Sequence, residues 1–175
     1  MKANHICYEN YPWQIVAVAN VVNLAIYASG AIIVVKLGLL PLFLYLAYLV
    51  ILEVRLLKVS CTKCFYYDQY CAFGKGKLSA LFFKKDDPSL FGKRNFTWYS
   101  MIPDMLVSVI PILIGIYLLI SDFNWIILSM MIILIVLTSF GNGMVRGSLA
   151  CNHCKQKEIR CPADQLFNQP KKHKV

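Results

Sequence analysis

Four apolar runs, each close to the length that crosses a bilayer, limit this chain more than any other feature in it. They extend from about Trp13 to Val35, Leu37 to Leu57, Met101 to Ile120 and Trp125 to Val145. A helix needs about 20 residues to span the hydrocarbon, where lipid offers the backbone no hydrogen-bond partner. The expected fold is therefore an all-α integral membrane protein with four transmembrane helices. Composition points the same way: 58% of the 175 residues are hydrophobic and 15% are charged, against about a quarter charged in soluble domains. The first run is too long for a signal-peptide core and leads at once into a second, so it reads as a retained span.

The breaks between runs have ordinary causes. Lys36, Gly38 and Pro41 interrupt the first pair, and Ser121–Asn124 (SDFN) interrupts the second, which makes each pair a tight helical hairpin. Pro111 falls inside the third run, where its missing N–H frees a carbonyl that a neighbouring helix must satisfy. Tyr11, Trp13, Trp98, Tyr99 and Trp125 sit near the expected ends, as interfacial aromatics do.

Basic residues orient the chain. Lys58, Lys63, Lys75, Lys77, Lys84, Lys85, Lys93 and Arg94 lie between the second and third runs, and Arg146, Lys155, Lys157, Arg160, Lys171, Lys172 and Lys174 follow the fourth. The two hairpin turns hold Lys36 alone. The bias puts both termini and the central loop on the cytoplasmic side of a cell membrane. The net charge of +9 then serves topology and anionic lipid headgroups at that face. A nucleic-acid partner is not expected, because the loop is too short to fold as a basic readout domain.

Two stretches repeat one spacing. CTKCFYYDQYC holds Cys61, Cys64 and Cys71; CNHCKQKEIRC holds Cys151, Cys154 and Cys161. Each C-x2-C-x6-C motif follows the second helix of a pair, a basic residue (Arg55 or Arg146) lies just upstream, and a Leu-Phe pair follows it. An internal duplication accounts for this: a first repeat over 1–81, a basic linker over 82–100 and a second repeat over 101–175. Two crossings per repeat give the halves one orientation, so both motifs should meet at one face.

A C-x2-C pair can turn both sulfurs toward one centre, and thiolates suit zinc or an iron–sulfur cluster rather than calcium or magnesium. The cytoplasm keeps thiols reduced, which favours metal binding or redox work over permanent disulfides. All six cysteines are therefore candidate metal ligands, with zinc as the cofactor and an iron–sulfur cluster as the alternative. Three thiolates per motif leave a fourth position to fill. His5, Cys7 and His173 could supply it, or Cys61, Cys64, Cys151 and Cys154 could share one site. The functional expectation is a structural or docking face for a cytoplasmic protein partner; an electron-transfer protein or a thiol–disulfide oxidoreductase is the alternative. In helix count and use of cysteine pairs the chain resembles the bilayer thiol oxidoreductases of the DsbB and vitamin K epoxide reductase types. Those enzymes work on the oxidising side, and the likeness goes no further.

Remaining candidates have bland readings. Phe65, Tyr66, Tyr67 and Tyr70 suit an aromatic belt or a shield for a metal. Gly74–Lys77 (GKGK) lacks the phosphate-loop spacing and reads as a flexible basic turn. Leu78, Leu81, Phe82 and Phe83 suit a short interfacial helix. Asn20 and Asn23 suit contacts between helices, and Glu53, Arg55 and Asp104 lie near span ends, where a Glu53 or Asp104 pairing with Arg55 or Arg146 would satisfy them. No residue pattern for nucleophilic or nucleotide-dependent catalysis is present.

Overall fold

The computed structural model describes residues 7–88, 91, 98–156 and 161. Among these residues the secondary structure is entirely helical, and four helices are long and apolar enough to cross a membrane. Helix α1 covers Trp13–Val34, α2 covers Leu39–Val59, a short α3 covers Lys75–Phe82, and α4 covers Trp98–Ser121. Helix α5 begins at Trp125 and continues through two π-helical stretches, Leu137–Gly141 and Val145–Ala150. Gly141 and Gly147 lie in those looser turns and Gly143 between them, where the backbone has least side-chain restraint.

The helix breaks fall where Gly38 and Asn124 place them. Gly38 takes φ 118, a conformation that glycine adopts without strain, and Pro41 sits in the first turn of α2, where no donor is lost. The Asn124 side chain caps α5 by accepting from the Ile126 N–H at 2.8 Å. The second and fourth helices run further than the apolar runs alone indicate: α2 reaches Val59 and α5 reaches Ala150 before each meets its first cysteine. Lys58 and Arg146 are good helix formers at a span end, so polarity does not stop the helix there.

Helix α1 is the central element and packs against α2, α4 and α5. Its buried Ile26, Ile33 and Val34 meet Tyr45 and Leu49 of α2, Val107 of α4, and Ile127, Met131 and Leu134 of α5. The carbonyl freed by Pro111 is that of Val107, and the Tyr45 hydroxyl donates to it at 3.0 Å. Tyr45 approaches α1 so closely that a Cβ on Gly30 would collide with its hydroxyl. The Tyr48 hydroxyl donates to the Pro103 carbonyl at 2.7 Å, and Ser108 and Thr138 join α4 to α5 at 3.1 Å. Away from this core, Leu24, Leu40, Ile120 and Phe140 are exposed around the bundle; so much apolar surface on a folded chain fits contact with lipid.

Candidate functional site

Both C-x2-C turns sit at the same end of the bundle and have the same local form. Cys61–Lys63 and Cys151–His153 are single 3-10 turns that tighten the helix end, and Cys64 and Cys154 leave them in extended conformation. The Cys64 N–H donates to the Cys61 carbonyl at 3.3 Å, and the Cys154 N–H to the Cys151 carbonyl at 3.4 Å.

After Cys64 the chain folds beneath α3. Tyr66 is 2% exposed, and Asp68 adopts the left-handed region at φ 63, which Asp tolerates better than most residues. The stretch Gly74–Lys77 is not a flexible turn: Gly74, at φ 69, precedes α3, and Lys75 opens it. Gly76 presses so closely on the Tyr66 carbonyl that any side chain would strike it. Helix α3 carries Leu78, Leu81 and Phe82 on exposed surface, as an interfacial helix does, while Phe83 lies just past its end.

Cys64 and Cys71 of the first motif and Cys154 of the second pack against one cluster of Tyr11, Tyr66, Ala72 and Ala150. Direct hydrogen bonds tie the motifs together. The Phe65 N–H donates to Gln156 Oε1 at 2.7 Å, and the Lys155 N–H donates to the Tyr66 hydroxyl at 2.9 Å. The segment before α1 straps them further. The Tyr8 N–H donates to the His153 carbonyl at 3.0 Å, Tyr8 forms a parallel bridge with Cys154, and the Tyr66 hydroxyl donates to the Tyr8 carbonyl at 2.6 Å. The Tyr11 hydroxyl donates to the Ala150 carbonyl at 2.5 Å, and its N–H to the Tyr70 carbonyl at 2.9 Å. Glu9 and Lys155 add an ion pair at 2.6 Å, which lowers the Glu9 carboxyl's pKa.

Burial governs the chemistry here. It pushes the Cys64 thiol up to about 12; the Tyr66 backbone opposes that shift, and the neighbouring Cys154, Cys71 and Cys61 thiols add to it. Tyr66 is pushed up to about 12, again chiefly by burial, and Tyr11 also rises, with Cys154 and Cys151 among its near neighbours. Cys61 is half-buried at the end of α2, Cys151 is exposed at the end of α5, and Cys161 is half-buried. Among the described residues, no three His, Cys, Asp or Glu side chains lie close enough together to hold a metal ion. His5, His173, the Leu166–Phe167 pair and the basic tail lie outside the described residues, as does most of the linker over 89–97.

Sequence reasoning missed the strap. Tyr11 reads there as an interfacial aromatic, and Tyr8 and Gln156 carry no signal, because their partners lie 58 to 146 residues away. Asn20 also differs from expectation. Its amide donates to the Val16 carbonyl in its own helix at 2.8 Å and to the Phe73 carbonyl at 3.3 Å, so it ties α1 to the cysteine loop rather than to another span. Comparison with protein-family models, curated proteins and solved structures gives no match. The fold therefore defines the class, a helical protein with four helices fit to cross a membrane, and the function has to be argued from the site.

Proposed function

We propose a multi-pass membrane protein whose cysteine-bearing end faces the cytoplasm and binds a metal through thiolates of both C-x2-C-x6-C motifs, zinc before iron–sulfur, as a structural or docking face. The observation that carries this reading is the packing of Cys64, Cys71 and Cys154 against one tyrosine cluster. It favours a single shared site over two separate ones. The basic residues flanking the spans support the cytoplasmic side and its contact with anionic headgroups. Among the described residues no three donors lie close enough to hold a metal, so a shared site of Cys61, Cys64, Cys151 and Cys154 requires these thiols to move toward one another on binding.

Burial raises the Cys64 thiol, which disfavours that cysteine as an exchange nucleophile near neutral pH. A metal overcomes the same barrier by displacing the proton. Titrating the metal-free protein with zinc in detergent is expected to release protons and to bind more tightly as pH rises from 6 to 8. Zinc binding without proton release, or no binding, overturns the reading. A cytoplasmic reporter fused after Val175 is expected to be active, and an outside-only signal overturns the topology.

A further inference from the structure

Beside the loop of the first cysteine motif, a cavity of about 490 Å³ opens between α1, α2 and α3. Its wall carries five polar side chains, Asn20, Asn23, Tyr27, Glu53 and Lys75. There the Tyr27 hydroxyl donates to Glu53 Oε1 at 2.7 Å, and Lys75 Nζ lies 2.8 Å from Oε1 and 2.7 Å from Oε2. Those contacts leave the Lys75 ammonium a third N–H to give. Asn23 also lines the cavity, and it has no hydrogen-bond partner among the described residues. It lies about 15 Å along α1 from Trp13, at 1.5 Å per residue, where an unpaired amide is costly against hydrocarbon. The rest of the wall is apolar, with Leu24, Leu57 and Leu78 on the three helices.

Polar side chains set beside leucines, at the side of a bundle fit for a membrane, match an amphiphile rather than a soluble metabolite. Charge selects the headgroup. Glu53 is neutralised by Lys75, while the Arg146 guanidinium stacks over the ring of Phe73, another cavity residue, at 5.5 Å. Arg146 bonds the neutral Asn142 Oδ1 at 2.7 Å and has no carboxylate partner within ion-pair distance among the described residues. A cation is left over beside the cavity.

We propose that this cavity binds one anionic phospholipid, its phosphate near Lys75 and Arg146, its ester carbonyls at the Asn23 amide, and an acyl chain leaving past Leu24. Phe73, Gly74 and Lys75 follow Cys71 directly, so an occupied cavity braces the loop of the first cysteine motif from the lipid side. The site needs no metal and stands or falls apart from the metal reading.

Native mass spectrometry of the full chain in detergent, titrated with palmitoyl-oleoyl phosphatidylglycerol or phosphatidylcholine, tests this. One phosphatidylglycerol is expected to be retained about fivefold more tightly than phosphatidylcholine, the scale of one basic residue near anionic lipid. Lys75→Gln removes the ammonium, and Leu24→Trp fills the cavity from an exposed position; both are expected to remove the preference. Lys84→Gln, an exposed lysine outside the cavity, is expected to keep it. If Lys75→Gln does not fold, Leu24→Trp carries the test. Equal retention of both lipids by the unaltered protein, or undiminished preference in Leu24→Trp, overturns the proposal. Release of the lipid by millimolar inorganic phosphate overturns the lipid as ligand and leaves a free-anion site.

Discussion

The Cys61–Cys64 and Cys151–Cys154 turns share one shape and differ in company. Each is a 3-10 turn closing a long helix and delivering its second cysteine in extended conformation. Beyond that they part: the first continues into an aromatic loop pinned under α3, and Cys64 is packed among tyrosines, while Cys151 is exposed at the end of the loosened turns of α5. Spacing thus fixes the turn, and the surrounding chain decides what the thiols can do. The strap of Tyr8 and Tyr11 converts two similar local structures into one face.

The sharpest way to break this contrast is with glycine. Gly76→Ala is expected to cost about 3 kcal/mol or more, because the new methyl meets the Tyr66 carbonyl and lies 2.6 Å from the Gln69 carbonyl, backbone that cannot give way easily. Gly143→Ala, with nothing within 4 Å of its Cβ, is expected to leave stability unchanged or slightly raised. Thermal unfolding in detergent compares the two; equal losses would contradict a tightly packed first motif and loosened turns at the end of α5.

Alkylation rates sharpen the same contrast. At pH 8 iodoacetamide is expected to modify Cys151 at least about a hundredfold faster than Cys64, whose thiolate is suppressed by burial. The folded Cys64 thiol titrates above its unfolded counterpart. Its contribution to metal-free stability is therefore intact below about pH 9 and lost as pH rises toward about 12. Peptide mapping after timed labelling reads the rates, and comparable rates at the two cysteines would contradict the buried environment.

Tyr66→Phe deletes the hydroxyl that both donates to Tyr8 and accepts from Lys155. A loss of about 1–3 kcal/mol is expected from the stranded backbone groups, with faster alkylation of Cys64 as the motifs part. At the small end, Glu9→Gln removes an exposed ion pair, and no measurable change in unfolding temperature is expected. A clear drop there would give the strap's charges a weight that their exposure does not support.

Much of the helical bundle was legible because runs long and apolar enough to cross lipid admit so few solutions. Run length alone located four helices, Gly38 and Asn124 marked the breaks, and Pro111 announced that a partner was needed for a freed carbonyl, which Tyr45 supplies. The strap was not legible, because it rests on hydrogen bonds between residues far apart in the chain, with no periodicity to mark them. Gly76 was misread for the same reason: its need for glycine comes from the Tyr66 carbonyl of another segment. Asn20 and Asn23 look alike in sequence, yet one holds the cysteine loop and the other faces a cavity.

The most direct test of the central claim is elemental analysis, with an absorption spectrum, on protein purified without oxygen in mild detergent, beside Cys64→Ser and Cys154→Ser. Bound zinc in the unaltered protein and a clear fall in both variants is the predicted result, because one shared site needs a cysteine from each motif. A metal content unchanged in both variants, or no metal in any of the three, would contradict it.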